Sequence, residues 1–308
     1  MTTAIIIPCY NEEKSIKKVV SDFKKEMPHA DIYVYDNNST DDSVKLAKEA
    51  GAIIRHEYRQ GKGNVVRSMF RDIDADCYIM VDADDTYPAK SGKEIEKLVL
   101  SKQADMVIGD RLSSTYFTEN KRRFHNLGNK LVRSFINFIF NSDLQDILTG
   151  MRGFSYEFVK SFPVSSKEFE IETEMSIFAL NHNFKIKEIP IDYKDRNEGD
   201  VSKLNTYTDG YKVIKLIFSL FRDTRPLFYF SLVTLTLFII AFIYFIPILS
   251  TFLQTGYVEK IPTLIIIAMF VIIGTIIFLT GVMLHVLKKQ HLQRFEHFLT
   301  LINENKKK

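Results

Sequence analysis

Tyr78-Ile79-Met80-Val81-Asp82-Ala83-Asp84-Asp85 is the stretch that decides the fold. Four apolar residues read as a short buried strand, and the carboxylates after them end it in a loop. Outward from it, Ala4 to Pro8, Ile32 to Tyr35 and Met106 to Ile108 repeat the pattern, each an apolar or β-branched run bounded by polar or turn residues. Between these runs the spacing turns helical. Ser15 to Lys25 carries Ile16, Val19, Val20 and Phe23 on one face, Ser43 to Ala50 stops at Gly51, and Gly63 to Ile73 and Ile95 to Leu100 behave alike. Strands alternating with helices predict a parallel sheet with right-handed crossovers. Ligands bind beyond the carboxyl ends of such strands. Pro8 to Glu13, Asp36 to Asp42 and Asp82 to Tyr87 are therefore expected on one rim.

After Gly109 the alternation loosens. A basic helix is predicted from about Lys121 to Phe140, then a segment from Asp146 to Phe154, a helix near Glu168 to Leu180 and an extended run from Lys185 to Tyr193. This half is expected to complete the sheet and to carry an acceptor site. Further on the charges vanish: residues 226 to 253 and 261 to 287 contain no Asp, Glu, Lys or Arg. Each run exceeds the roughly 20 apolar residues that span a bilayer. Before them, Asn205 to Arg222 alternates apolar residues with Lys212, Lys215 and Arg222, as expected of an amphipathic helix at a membrane interface.

Charge is partitioned as well. Of the 41 Lys and Arg, six lie in 288 to 308 against two acids and five in 201 to 225 against two, which leaves residues 1 to 200 slightly acidic. No nucleic-acid partner is expected, since phosphate binding needs a basic face on the folded domain. The positive charge instead flanks the apolar runs, so both ends of the hairpin are expected in the cytoplasm. The first ten residues lack a basic start and a long apolar stretch, so no signal peptide is expected. Cys9 and Cys77 sit in apolar runs and read as core thiols, and the seven histidines show no zinc-ligand spacing.

The Asp82-x-Asp84 pair can approach one hard divalent cation, Mg2+ or Mn2+, which prefers oxygen ligands and bridges phosphates. Taken alone such a pair is more often a solvated acidic turn. It stands, however, with Pro8-Cys9-Tyr10-Asn11-Glu12-Glu13 and Asp36-Asn37-Asn38-Ser39-Thr40-Asp41-Asp42 on the expected rim. Gly61-Lys62-Gly63-Asn64, Gly109-Asp110-Arg111, Asp146 through Gly150 to Arg152, and Pro190-Ile191-x-Tyr193-x-x-Arg196-x-x-Gly199-x-x-Ser202-Lys203 follow in order. This ordered set resembles the family 2 glycosyltransferases, in particular their polyprenyl-phosphate branch, which includes dolichol-phosphate mannose synthase and bacterial undecaprenyl-phosphate glucosyltransferases. The resemblance covers residues 3 to about 203.

The resemblance implies an α/β fold: a nucleotide-binding, glycosyltransferase A-type domain with a mostly parallel central sheet over residues 1–204. An interface helix (205–225), two transmembrane helices (226–287, about 226–253 and 261–287) and a basic cytoplasmic tail (288–308) follow. It implies nucleotide-sugar contacts for Pro8, Tyr10, Glu12 and Asp36, and cation binding by Asp82 and Asp84. In some relatives a Gln two residues on completes the cation set; here that place is Thr86. Lys62, between two glycines at a helix start, offers a cation and backbone donors to a phosphate, and Arg196 is expected at the leaving diphosphate. For the lipid phosphate, Arg111, Arg122, Arg123 and Lys203 are the candidates, Arg111 first by position. The catalytic set is Asp84, Arg111 and Arg196. A phosphate monoester is already a nucleophile at neutral pH, so no base is required. Asp146, Glu170 and Glu172 are otherwise acids of structural or ion-pairing use.

The expected reaction is inverting transfer of one sugar, from UDP-glucose or UDP-N-acetylglucosamine, to undecaprenyl phosphate for cell-envelope glycosylation. The alternatives are a GDP-mannose-dependent polyprenyl-phosphate mannose synthase and a membrane-tethered transferase acting on a saccharide hydroxyl. A processive synthase is disfavoured, because its Q-x-x-R-W motif needs a Trp and the chain has none. The partners implied are a nucleotide sugar, a polyprenyl phosphate, the cell membrane in a multi-pass arrangement, and further copies of the chain in a homo-oligomer of up to four.

Overall fold

In a computed structural model, residues 1–113, 123–166, 170–192, 218–219 and 221–306 are described, without the side chains of residues 123–131 and residue 305. The elements alternate as the hydrophobic pattern requires. They run β1 (Thr3–Cys9), α1 (Ile16–Glu26), β2 (Asp31–Asp36), α2 (Ser43–Glu49), β3 (Ile53–His56), α3 (Lys62–Asp72), β4 (Cys77–Met80), α4 (Ser91–Leu100) and β5 (Met106–Asp110). There follow α5 (Arg123–Phe140), β6 (Arg152–Ser155), α6 (Tyr156–Ser161), α7 (Ile171–Asn181), β7 (Ile186–Pro190), α8 (Pro226–Thr255) and α9 (Ile261–Lys306). The chain divides into two units, Met1–Gly210 with Phe298–Lys308, and Tyr211–His297.

In the first unit seven strands form one sheet in the order β3-β2-β1-β4-β6-β5-β7. Every neighbouring pair is parallel except those made by β6, which runs antiparallel to both β4 and β5. Helices cover the sheet through their apolar stripes. In α1 the buried face is Ile16, Val19, Val20 and Phe23, a one-sided 3.6-residue repeat that joins Ile5, Ile7, Ile79 and Ile95 in the core. Each such side chain contributes about 1.5–3 kcal/mol by burial, so Phe23→Ala is the change that would empty this layer. Cys9 and Cys77 are buried there as free thiols, and burial pushes the Cys9 pKa up to about 12.

Register explains why one rim collects the polar loops. Cys9 pairs with Asp36, and Asp36 with His56, so β1, β2 and β3 end level with one another. Met80, Arg152 and Ile108 lie in one row, so the antiparallel β6 starts at the rim where β4 and β5 end. Asp110 pairs with Pro190, bringing the end of β7 to the same side.

Two strands, β3 and β6, are absent from the expected set, and their composition accounts for it. β3 is a four-residue edge strand with Arg55 and His56 in it, and β6 carries Arg152 and Gly153. Helix α4 begins at Ser91, four residues before the first apolar position, Ile95.

In the second unit, α8 and α9 are each long and apolar enough to cross a membrane. At 1.5 Å per residue the 30 residues of α8 run about 45 Å, against roughly 30 Å of bilayer hydrocarbon. Phe242, Leu253, Ile272 and Met283 are exposed on them, as a lipid-facing surface requires. Thr234 Oγ1 donates to Gly274 O at 3.0 Å, and Gly274 and Gly281 lie against Phe238 and Phe230, so the glycines mark close packing of the two helices. The charged segment 288–306 is no separate tail: α9 continues through it to Lys306, and residues 298–308 group with the first unit. The Lys, Gln, Arg, Glu and Leu of that stretch are all good helix formers, so the loss of hydrophobicity ends the apolar run without ending the helix. Of the expected interface helix, only residues 218–219 and 221–225 are described, and they are helical apart from Arg225.

Candidate active site

The rim is assembled loop by loop from tightly bonded turns. After β1, Asn11 adopts φ 54° and its Oδ1 accepts from Thr40 N at 2.8 Å, while Asn11 N donates to Ser39 Oγ at 3.0 Å. Glu12 N donates to Ser43 Oγ at 2.8 Å. The first two motif loops are thus stitched to each other. Pro8 is inside β1, Tyr10 is 41% exposed on the rim, and the Glu12 carboxylate accepts from Ser15 Oγ at 3.2 Å. Asp36, at the end of β2, is buried; it accepts from Ser39 N at 3.1 Å and lies 3.3 Å from His56 Nδ1.

Asn37 fixes the next loop. Its buried amide donates to Glu57 O and Arg59 O at 2.7 and 2.9 Å and accepts from Gly61 N at 2.7 Å. Gly61 stands at φ 123°, a backbone conformation that favours glycine, and the chain turns there directly into α3 with Lys62 as its first residue. The Lys62 ammonium lies 2.6 Å from Asp82 Oδ1 and 2.5 Å from Glu172 Oε1. Burial alone would lower the Lys62 pKa, but the charges of Asp82 and Glu172 and their hydrogen bonds outweigh it and hold the group above its ordinary value.

Asp82 and Asp84 lie in the loop that follows β4. Asp84 Oδ1 accepts from Thr86 Oγ1 at 2.6 Å and from Thr86 N at 3.3 Å, a closed turn helped by Asp85 at φ 60°. Asp82 presses its carboxylate against Gly150, where a Cβ would overlap it. The hard oxygen donors of Asp82 and Asp84 fit a Mg2+ or Mn2+ ion, and Gly150 leaves the Asp82 carboxylate its room. Among the described residues no group of three or more His, Cys, Asp or Glu is set to hold a metal.

On the far side, Arg111 follows β5 and is held by Asp146, with Nε to Oδ2 at 2.7 Å and Nη2 to Oδ1 at 3.0 Å. The Asp146 backbone is itself fixed by Glu188 on β7, which accepts from Asp146 N at 3.1 Å. Tyr87 ties the two halves together: its hydroxyl accepts from Gly150 N at 2.8 Å and lies 3.4 Å from Arg111 Nη1. Burial raises its pKa, so it stays a neutral phenol. Arg152 is fully buried, donating to Thr149 O, Ile147 O and Ser176 Oγ, and burial brings its pKa down to about 10.

Of the sequence-derived set, Lys62 and Asp82 are thus in contact, and Asp84 and Arg111 lie on the same rim. Arg122, Arg196 and Lys203 lie outside the described residues, as does the side chain of Arg123. Glu172 as the partner of Lys62, Tyr87 as a junction and Asn37 as a clamp went unnoticed in sequence. The Lys62–Glu172 contact spans 110 residues and leaves no local signal. The asparagine of an Asp-Asn-Asn turn was legible as a loop former only.

Comparison with known proteins adds to this geometry. The sequence model described as glycosyl transferase family 2 matches residues 4–162. The chain is 33% identical over 228 residues to the glycosyltransferase AglJ of Haloferax volcanii, covering 74% of each protein. It is 26% identical over 222 residues to a dolichyl-phosphate hexose transferase of the same organism, covering 72% of this chain and 95% of that one. Among solved structures, glucosyl-3-phosphoglycerate synthase from Mycobacterium tuberculosis, in complex with Mn2+, UDP and glucosyl-3-phosphoglycerate, is similar with a TM-score of 0.58. Identity there is 18%, over 71% of this chain and 78% of that one, and the likeness concerns the fold.

Proposed function

We propose that this chain, which belongs to glycosyltransferase family 2, transfers one sugar from a nucleotide sugar to a polyprenyl phosphate of the undecaprenyl type. The donor favoured is UDP-glucose or UDP-N-acetylglucosamine. The observation that carries the reading is the convergence of the Tyr10, Asp36, Lys62, Asp82 and Arg111 loops on one rim of the sheet. A relative acting as a dolichyl-phosphate hexose transferase supports the acceptor class. Two helices fit to cross a membrane suit an acceptor that is itself a lipid.

In this reading Tyr10 offers a face to the base and Asp36 an acceptor to base or ribose. Lys62 and Arg196 meet the diphosphate, and Arg111, with Arg122, Arg123 and Lys203, grips the lipid phosphate. A divalent cation on Asp82 and Asp84, when bound, offsets the charge developing on the leaving diphosphate. The acceptor phosphate oxygen forms the new bond to the anomeric carbon, and the bond to the nucleoside diphosphate breaks with its electron pair, which inverts the centre. No proton need move, because the acceptor is already anionic. The engagement of Asp146 by Arg111 and of Glu172 by Lys62 favours this base-free course over transfer to a saccharide hydroxyl. The charge pattern supports a cell-membrane location with the catalytic unit and both termini in the cytoplasm. Assembly into a homo-oligomer is part of the same proposal.

The test is transfer from radiolabelled UDP- and GDP-sugars to undecaprenyl phosphate in detergent with Mn2+, scored by organic extraction. Label is expected in the organic phase from a UDP-sugar. Label from GDP-mannose alone would make the enzyme a mannose synthase, and none from any donor, with nucleotide binding intact, would overturn the lipid acceptor.

A further inference from the structure

Lys62 is gripped from two directions by acids that reach it from distant parts of the chain. Asp82 comes from the loop after β4 and Glu172 from the first turn of α7. Side-chain exposure is 10% for Lys62 and 6% for Glu172, so the contact is shielded from water. A lysine that waits for a phosphate is commonly a mobile, hydrated point charge. This one is not. Its backbone is fixed through Asn37 and Gly61, and its head is fixed by two carboxylates.

The arrangement also limits Asp82. Its carboxylate lies against the Lys62 ammonium, in the space that the missing Cβ of Gly150 leaves. Asp82, the residue that would take a cation, and Lys62, the residue that would take a diphosphate, therefore occupy one another. A cation arriving alone would meet the ammonium as a like charge, and a diphosphate arriving alone would meet the two acids. Arriving together, each supplies the partner that the other displaces, and the buried charge stays balanced.

We propose that Glu172 is a positioning residue that holds Lys62 as a resident cation against Asp82, and that donor binding is an exchange in which Lys62 turns from Asp82 to the diphosphate while staying on Glu172. This rests on the reading of Lys62 and Asp82 as donor ligands given above. It gives Glu172 a role different from that of a base: it sets where the Lys62 charge stands and takes no proton.

The full-length protein in detergent tests this in three measurements. In thermal unfolding, Glu172→Gln and Lys62→Met should each lower Tm, and the double variant should lower it by less than their sum, since removing both leaves only Asp82, 25% exposed, without its partner and strands no charge at the buried Glu172 position. If a single variant does not fold, recovery of folding in the double variant gives the same answer. With Mn2+ alone, followed by the electron paramagnetic resonance of the free ion, Lys62→Met should bind at least ~10-fold tighter than wild type because Asp82 is released. In calorimetry with UDP and Mn2+, Glu172→Gln should bind ~10-fold more weakly, Glu172→Asp should recover part of the loss, and Glu172→Gln added to Lys62→Met should cost nothing more. Additive effects on Tm, or unchanged Mn2+ binding in Lys62→Met, would overturn the exchange. A Glu172→Gln variant with unchanged donor KM and a large loss of kcat would make Glu172 a base instead. Failure of the wild type to bind either UDP or GDP would count against the proposed function, while the unfolding and Mn2+ arms would still decide the pairing.

Discussion

Lys62 and Arg111 are both cations on one rim, each proposed to meet a phosphate, and their surroundings differ in kind. Lys62 is a compact charge between two acids, one in the loop after β4 and one in the first turn of α7. Arg111 is a planar fork matched edge to edge by a single acid, Asp146, whose backbone is pinned by Glu188 on the next strand but one. A point charge can change partners by turning about its stem, whereas a bidentate pair must break two bonds at once. On the proposed reading the donor side is thus suited to exchange and the acceptor side to fixed geometry, with the Tyr87 hydroxyl between Arg111 and Gly150.

The largest expected effect falls on the exchanging side. Asp84→Ala removes a carboxylate that accepts from Thr86 Oγ1 and Thr86 N within its own turn, and metal-dependent transfer should fall by about 10^3-fold, or about 4 kcal/mol of transition-state stabilisation. Steady-state transfer with Mn2+, beside an unchanged unfolding transition, checks it. Activity within a few-fold of wild type would break the contrast, since both sides would then be scaffold.

On the fixed side the same kind of change should cost stability first. Asp146→Asn keeps the shape but leaves the Arg111 charge without its partner in a site where Asp146 is 2% exposed. Breaking one member of a buried pair costs about 3 kcal/mol, which in a domain of this size lowers Tm by roughly 6–12 °C. Calorimetric or fluorescence-detected melting reads this, and a Tm within a degree of wild type would show the pair to be exchangeable after all.

The two sides also differed in how far the sequence exposed them. β1, β2, β4 and β5 announced themselves as apolar runs ending in polar turns, and strand register then forced their loops to one rim. The proposed donor ligands Tyr10, Asp36, Lys62, Asp82 and Asp84 were legible because each lies at a strand's end, in the loop after it or at a helix start. β6 was hidden, since a fully buried Arg152 satisfied by carbonyl groups looks, as sequence, like a surface residue. β3 was hidden by its edge position and polar end. Pairings across long loops, Lys62 with Glu172 and Arg111 with Asp146, follow from sheet order, which a hydrophobic pattern does not encode. At the other end of the chain the loss of hydrophobicity after Leu287 marked the end of the apolar run, while backbone propensity carried the helix on to Lys306.

The smallest effect sharpens the comparison from beneath the donor side. Glu57 sits in the loop that Asn37 clamps ahead of Lys62, accepting from Arg59 Nε and Nη2 at 2.9 Å and also bonded by the Ser68 hydroxyl. The Arg59 bonds, with help from Ser68 and against the cost of burial, hold its pKa down at about 2 instead of 4.5. A depressed carboxylate stabilises the fold fully above its unfolded pKa and loses that contribution as pH falls through the folded value. Between about pH 4.5 and 2 the wild type should therefore lose stability that Glu57→Gln never had. Because Arg59 is 56% exposed, solvent screening trims the difference to on the order of 1 kcal/mol. Unfolding curves of both proteins across that window measure it. Parallel pH profiles would mean that the Glu57–Arg59 pair adds no stability to the loop ahead of Lys62, leaving the hydrogen bonds of Asn37 to hold it.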